Sequence, residues 1–150
     1  MSNKFVLTWN DLHNIVIDLH YKTAEEEEGS VAIIGISRGG LVPAVMLSHL
    51  KKAQLFGTVG VRSYSDKNKK TEALYQIPEV KELEKIDTVY LIDDICDTGG
   101  TFKFLKDNVF KLNNIKTISL IHKKNKVFTP DYFGYEVDKH FWVDFPFEMC

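Results

Sequence analysis

The sequence predicts an α/β fold, a central parallel sheet flanked by helices, and two patterns lead to this prediction. Residues 31–36 and 89–92 are unbroken apolar or aromatic runs, which are typical of strands covered on both faces. Each run is followed by a turn that contains glycine and then by a segment that predicts a helix. Strands that alternate with helices favour parallel pairing through right-handed crossovers.

The chain is predicted to begin with a strand over residues 4–7 and a helix that starts after Thr8. Thr8 and Asp11 have the spacing of a capping box, in which each side chain accepts a hydrogen bond from the other residue's backbone N–H. One face of this helix is expected to be buried, because apolar residues recur at helical spacing. These residues are Leu12, Ile15, Val16 and Leu19.

The remaining predicted elements alternate in type, as this fold requires. Residues 63–80 are polar and predict a long loop, of the kind that often acts as a mobile lid over a site. The tail from residue 129 is rich in aromatic residues and is interpreted as irregular. Further strands are predicted at residues 31–36, 55–61, 89–92 and 115–121, and further helices after residue 40 and near residue 101.

Length, charge and cysteine content bound the class of protein. The 150 residues are enough to bury a substantial core, so we expect one domain over residues 1–150. A net charge of -2 argues against general attraction to nucleic acid or anionic membranes. No apolar run approaches the roughly 20 residues of a membrane span, and the N-terminus lacks a signal segment. We therefore expect a cytoplasmic protein whose two cysteines, Cys96 and Cys150, are free thiols.

Two adjacent acids, Asp93 and Asp94, stand at the carboxyl end of the second apolar run, where ligands bind in open α/β sheets. The turn that follows is rich in small residues, and the backbone N–H groups of such turns attract anions. Because paired carboxylates favour a cation or sugar hydroxyls, the expected ligand is a phosphorylated sugar with a divalent metal. Asp97 adds a third acid, although it could instead simply cap the helix beyond it. The residues of the turn are Asp97, Thr98, Gly99, Gly100 and Thr101.

A second candidate anion site follows the first apolar run. Here Ser37 and Arg38 precede Gly39 and Gly40, so a guanidinium stands beside exposed backbone N–H groups. Such a tetrapeptide is common on surfaces, but its place after a buried strand favours a role in binding.

The run from Val89 to Thr101 resembles the diphosphate-sugar motif of the type I phosphoribosyltransferases, which is an apolar strand, two acids, two residues and Asp-Thr-Gly-Gly-Thr. The resemblance extends along the chain and is strongest to small bacterial members of that family that act on guanine and xanthine. It implies the fold of the family, a central parallel sheet flanked by helices with a small hood built from about residues 1–8 and 129–150.

In that family the two acids contact the ribose hydroxyls of 5-phospho-α-D-ribose 1-diphosphate (PRPP), directly or through Mg²⁺. The resemblance therefore implies that Asp93 and Asp94 have these roles and that Asp94 is a metal ligand. It also implies that residues 97–101 hold the 5-phosphate. Asp97 matches the acid near N7 of the purine, which is the usual candidate for catalytic proton transfer.

The leaving group is expected to bind at the first loop. Ser37, Arg38 and Gly39 match the family's pyrophosphate loop, in which a cis peptide bond is common, so we expect one near Ser37–Arg38. Ser63 and Tyr64 match the start of the family's flexible loop, whose closure would exclude water from a reactive sugar cation. Lysines within that loop would contact pyrophosphate or would simply be solvated. These lysines are Lys67, Lys69 and Lys70.

Base recognition is expected to come from the C-terminal third. Lys123 matches the lysine that purine-specific members direct at the 6-oxo group. Trp142 and Val143 match a ring that stacks on the purine and a backbone that reads its 2-position, although Phe141 competes for the stacking role. Ile95 would form the opposite face. Residues 123–126 read Lys-Lys-Asn-Lys, where the small bacterial members have lysine and proline.

Taken together, the resemblance implies a Mg²⁺-dependent purine salvage enzyme. It would transfer ribose 5-phosphate from PRPP to guanine, xanthine or hypoxanthine and release pyrophosphate, and its relatives are commonly homodimers or homotetramers. Its expected partners are PRPP and a purine base, without nucleic acid or a membrane. Two alternatives stay open: a regulatory protein that senses PRPP, and a phosphoribosyltransferase for a pyrimidine or another base.

Overall fold

The structure, a computed structural model, describes residues 3–63 and 71–149. Within these ranges no helix has the length and apolar character needed to cross a membrane. The strands are β1 (Lys4–Val6), β2 (Val31–Ser37), β3 (Leu55–Ser63), β4 (Thr71–Ile77), β5 (Thr88–Cys96), β6 (Ile115–Lys123), β7 (Tyr132–Val137) and β8 (Trp142–Asp144). The helices are α1 (Trp9–Ala24), α2 (Leu41–Leu50), α3 (Val80–Leu83) and α4 (Gly100–Phe104), which continues as a π-helical turn (Leu105–Val109), and a 3₁₀ turn (Pro146–Glu148) stands near the C-terminus.

The central sheet has the strand order β4-β3-β2-β5-β6-β7. Neighbouring strands are parallel except for β3 and β4, so the expected α/β fold with a mostly parallel central sheet is confirmed. β2 and β5 are adjacent at its centre, and their carboxyl ends therefore reach the same edge.

Helices cover both faces of this sheet. In β2, Val31 and Ile33 belong to the core that contains α1 and α2, whereas Ala32 and Ile34 belong to the core on the opposite face. Successive side chains of a strand point to opposite faces, so burial of both faces explains the unbroken apolar runs of the sequence. The α1 helix begins with the predicted capping box, in which Thr8 N–H donates to Asp11 Oδ2 (2.8 Å) and Asp11 N–H to Thr8 Oγ1 (3.0 Å).

The prediction of one continuous loop over residues 63–80 is wrong. β3 reaches Ser63, residues 71–77 form β4, and residues 80–83 form α3. β4 pairs antiparallel with the edge of β3 that faces away from β2, so it satisfies backbone groups that an open edge would leave unpaired. Buried and exposed side chains do not alternate clearly along β4, because Leu74 and its neighbours on both sides are exposed. Pairing with β3, not a buried face, therefore makes this segment a strand.

The interpretation of the tail from residue 129 as irregular is also wrong. Residues 132–137 form β7, which pairs parallel with β6, and they belong to the central sheet rather than to a hood over residues 129–150. Aromatic residues favour strands because they pack well on a pleated surface. The ring centroid of Phe133, for example, lies 5.1 Å from the ring centroid of His122 in β6.

β1 and β8 form a separate two-stranded parallel sheet that joins the two ends of the described chain. Trp142 N–H donates to the carbonyl oxygen of Asn3 (2.9 Å), and Leu7 N–H donates to that of Asp144 (3.0 Å). This ladder fixes the backbone of Trp142 and Val143, which are both candidate base-binding residues.

Candidate functional site

The two candidate anion loops meet at one edge of the sheet, because β2 and β5 are parallel neighbours. The contact is close: a Cβ built on Gly39 would lie 2.0 Å from Oδ2 of Asp94, and one on Gly40 would lie 2.3 Å from the carbonyl oxygen of Ile92. The backbone of the neighbouring strand therefore requires glycine at position 40, whereas at position 39 a Cβ would displace the Asp94 carboxylate. The peptide bond between Ser37 and Arg38 is cis, as the resemblance implies.

Asp93 and Asp94 are partly buried and organise their own turn. Asp94 N–H donates to Asp93 Oδ1 (2.9 Å), and Ile95 N–H donates to Asp94 Oδ1 (2.8 Å). Burial raises the pKa of Asp93 well above its usual range, and the negative charge of Asp94 raises it further. The pair thus places carboxylate oxygens in poorly solvated surroundings, where a cation or hydroxyl donors would be favourable partners.

A cavity of about 470 Å³ opens between the two loops. It brings the guanidinium of Arg38 to the same space as the carboxylate of Asp94, so one cavity offers groups for an anion and for a cation. Its lining residues are Arg38, Gly39, Val42, Asp94, Phe147 and Glu148.

The turn over residues 97–101 lines a second cleft of about 250 Å³. Gly99 has a φ of 85°, which favours glycine, and a Cβ on it would also meet Cβ of Phe128 at 2.3 Å. Gly99 is the N-cap residue of α4, and Gly100 N–H donates to Thr98 Oγ1 (3.3 Å). The alternative role of Asp97 as the helix cap is therefore wrong, and its exposed side chain lies at the rim of the cleft.

A third cavity, of about 210 Å³, brings together the candidate base-binding residues. Trp142 is 63% exposed and its Nε1–H donates to Asp144 Oδ1 (2.8 Å), so this residue is accessible to a ligand in the cavity. Asp97 lines both this cavity and the 250 Å³ cleft, and thereby joins them. The lining residues are Asp94, Ile95, Asp97, Lys123, Trp142, Val143, Phe145 and Glu148.

Three residues that were not among the predicted site residues line these cavities or contact Ser37. Glu148 lines two of the cavities, and burial together with the charge of Asp94 raises its pKa. Phe145 is buried in the wall of the base cavity. Tyr75 of β4 places its hydroxyl in hydrogen-bond contact with Ser37 Oγ. No local pattern marks Glu148 or Tyr75, since each reaches the site through pairing of distant segments.

The flexible-loop assignments remain predictions. Tyr64, Lys67, Lys69 and Lys70 lie outside the described residues. The backbone of Ser63 ends β3 opposite Thr71 of β4, so β3 and β4 lead directly into and out of this loop.

Cys96 is a buried thiol at the end of β5, exposed to only 2%. Burial raises its pKa to about 11, and the charges of Asp93 and Asp97 contribute to the shift. The thiolate is the reactive form of cysteine, so at neutral pH this side chain fills space and does not act as a nucleophile.

We expect iodoacetamide to modify Cys96 at pH 8 at least about tenfold more slowly than it modifies glutathione, because the thiol is both buried and protonated. Mass spectrometry of the peptide that contains Cys96 would follow the reaction in the native protein. The same peptide after denaturation is the control. Labelling of the native protein at the rate of glutathione would contradict this description.

Comparison with known proteins identifies the class. Residues 6–149 match the family model described as the phosphoribosyl transferase domain, and the chain belongs to this family. The resemblance inferred from the motif over residues 89–101 is thereby confirmed.

Several individual members of the family are similar to this chain in sequence or in structure. The chain is 30% identical to a xanthine-guanine phosphoribosyltransferase of Idiomarina loihiensis, over 99% of this chain and 89% of that protein. The crystal structure of a purine phosphoribosyltransferase from Pyrococcus horikoshii superposes with a TM-score of 0.82 at 30% identity, over 97% of this chain and 93% of the other. A Helicobacter pylori xanthine-guanine-hypoxanthine phosphoribosyltransferase, 19% identical, shares the fold with a TM-score of 0.79, over 97% and 94% of the two chains.

Proposed function

We propose that this protein transfers ribose 5-phosphate from PRPP to a 6-oxopurine and releases pyrophosphate. The observation that carries the proposal is a shared lining residue: Asp97 lines both the cleft of the 97–101 turn and the cavity of Lys123 and Trp142. A sugar phosphate in the cleft and a base in the cavity would therefore meet at Asp97.

PRPP, the donor of ribose 5-phosphate, would bind in the cleft of the 97–101 turn and against Asp93 and Asp94. Backbone N–H groups of the 97–101 turn would hold the 5-phosphate, and Asp93 and Asp94 would bind the ribose hydroxyls. Arg38 and the backbone of Gly39 would receive the pyrophosphate leaving group, because both line the cavity that Asp94 also lines.

The base cavity suits a planar, polar ring. Trp142 offers an exposed ring face for stacking, and Ile95 would cover the opposite face. Lys123 can donate to a 6-oxo group, while the carboxylate of Asp97 can accept or return a proton at N7. The backbone of Val143, held by the β1 ladder, would read the 2-position.

We further propose Mg²⁺ as the cofactor, with Asp94 as a ligand. The donor set fits, because Mg²⁺ is bound by one or two carboxylates together with substrate phosphates. Burial and mutual repulsion raise the pKa of Asp93, and a bound divalent cation would offset this repulsion. When bound, the ion would neutralise charge on the diphosphate.

A direct assay tests the activity. Radiolabelled guanine, xanthine, hypoxanthine, adenine and uracil are each incubated with PRPP and Mg²⁺, and nucleotide formation is followed. We expect nucleotide from at least one 6-oxopurine. Product with uracil alone would rule out the purine assignment, and binding of PRPP without product from any base would favour the regulatory alternative.

Substitution of Lys123 tests the base cavity. Lys123→Ala is expected to raise KM for 6-oxopurines about tenfold and to weaken the preference for them over adenine, because a hydrogen bond to the 6-oxo group is lost. Lys124→Ala is a matched control, since Lys124 points to Glu136 and Asp138 (4.0 and 3.4 Å) outside this cavity. Equal base profiles for both variants would contradict the assignment of Lys123.

We also propose that the protein acts in the cytoplasm as a homodimer or homotetramer. Its family membership supports both parts of this proposal. Exposed apolar side chains such as Val45, Phe56 and Leu74 support the assembly, because they could be covered in an interface. Size-exclusion chromatography with light scattering would determine the assembly, and a monomer at micromolar concentration would contradict the proposal.

A further inference from the structure

Asn125 joins the turn that carries Asp97 to the segment that carries Lys123. Its Nδ2 group donates to the carbonyl oxygens of Asp97 (2.7 Å) and Lys123 (3.1 Å). Its Oδ1 atom accepts from the backbone N–H groups of Val127 and Phe128, both at 2.8 Å. Both donors of the amide and both lone pairs of its oxygen are therefore engaged with backbone groups.

The hydrogen bonds of Asn125 lie just beyond the point where the backbone ladder between β5 and β6 ends. The ladder between β5 and β6 runs to the pair Cys96 and His122. Lys123 is the last residue of β6 and Asp97 directly follows the end of β5, and Asn125 hydrogen-bonds to both of their carbonyls. The side-chain amide thus continues the link between the two strands by one more residue.

Phe128 makes a second contact between the same two segments. It packs against the backbone of Gly99, as the 2.3 Å approach of its Cβ to a Cβ built on Gly99 shows. Its ring also stacks on that of Phe102, with the ring centroids 5.8 Å apart and the planes 23° apart. Asn125 therefore holds the start of the 97–101 turn at Asp97. Phe128, whose backbone N–H donates to the same amide, packs against Gly99 within the turn and Phe102 just after it.

We propose that Asn125 is a positioning residue that fixes the phosphate turn, and with it Asp97, relative to Lys123 in the base cavity. The inference rests on the proposed function, since these two segments would hold the ribose 5-phosphate and the base.

Two substitutions separate positioning from stability. Asn125→Asp keeps an acceptor for the Val127 and Phe128 N–H groups but turns a carboxylate oxygen toward two carbonyl oxygens, so repulsion replaces two hydrogen bonds. Asn125→Ala removes all of these bonds. Because repulsion would push the turn away, whereas truncation only releases it, the aspartate variant should have the lower activity of the two. The melting temperature of each variant shows how much of its loss of activity is due to unfolding.

We expect kcat to fall about tenfold in Asn125→Ala and about 100-fold in Asn125→Asp, because a displacement of about 1 Å at the reacting groups has effects of this size. KM for PRPP and for the base should change by less than about threefold, since the other binding groups are untouched. Asn108→Ala is the control: Asn108 donates to the Phe104 carbonyl (3.1 Å) away from the cavities, and its loss should leave kcat within about twofold.

A role limited to packing predicts the opposite order, with the isosteric aspartate more active than alanine. That order, or kcat of both variants within about twofold of the unsubstituted protein, would overturn the proposal.

Amide hydrogen exchange tests the same contact without any assumption about the reaction. Peptides that span residues 96–105 should exchange about tenfold faster in Asn125→Ala, while peptides from α2 should be unchanged. Unchanged exchange over residues 96–105 would overturn the positioning role. If the unsubstituted protein made no nucleotide from any base, the proposed function would fail, and this measurement would still decide whether Asn125 holds the turn.

Discussion

Replacing Asp94 with asparagine is expected to lower kcat about 100- to 1,000-fold, because it removes a charge that, in the proposed function, would face PRPP, the leaving group and the metal. The fold should be retained. Asparagine keeps the oxygen that accepts from Ile95 N–H (2.8 Å) and has nearly the same shape against Gly39. Because the charge of Asp94 contributes to the raised pKa of Asp93, the variant also relieves repulsion within the pair.

Steady-state kinetics at saturating PRPP and Mg²⁺, together with thermal unfolding, would measure this effect. Asp18→Asn is a matched control, since Asp18 is an exposed residue of α1 and its substitution should leave kcat within about twofold. A melting temperature that collapses in Asp94→Asn, or a kcat close to that of the control, would show that Asp94 serves the fold instead of the reaction.

Replacing Gly40 with alanine should have the largest effect on stability. The added Cβ would lie 2.3 Å from the carbonyl oxygen of Ile92 and 2.6 Å from that of Ile36. These are backbone atoms of β5 and β2, the central pair of the sheet, and they cannot move aside without disturbing its ladder. We expect the free energy of unfolding to fall by about 3 kcal/mol, which corresponds to a decrease in melting temperature of roughly 10 °C.

Gly100→Ala offers a matched comparison within the same site. A Cβ on Gly100 would be 3.5 Å from Thr98 Oγ1, which is an ordinary contact, and Gly100 lies at the start of a helix, where alanine is well tolerated. Its melting temperature should change by less than about 2 °C. Urea unfolding of both variants would check the difference, and similar losses for Gly40→Ala and Gly100→Ala would refute the steric explanation.

The parts of the molecule that were predictable from sequence are those with a local physical cause. Both faces of β2 and β5 are buried, so these strands appear as unbroken apolar runs. Thr8 and Asp11 specify the start of α1 through neighbouring backbone groups. The acid pair and glycine turn over residues 93–101 form one continuous motif, which places their backbone correctly without knowledge of the rest of the fold.

The features that escaped prediction depend on partners distant in sequence. β4 is a strand because β3 has an open edge, and β7 is a strand because β6 has one. Tyr75 reaches Ser37 only after β4 has paired, and Asn125 reaches Asp97 only where β5 and β6 end side by side. The residues themselves, a tyrosine in a polar segment and an asparagine among lysines, carry no signal of these contacts.

The pairing of β1 with β8 has a consequence for how the protein is made. Lys4 pairs with Trp142, so β1 stays without its partner until β8, which follows the other described strands in the chain, has been translated. The strands that carry Ser37 and Asp93 are both translated before Trp142, so their loops can come together before it is made. A growing chain would therefore gain the proposed site for the sugar diphosphate first and the proposed purine pocket last. A nascent chain halted near residue 130 would lack the strand that carries Trp142.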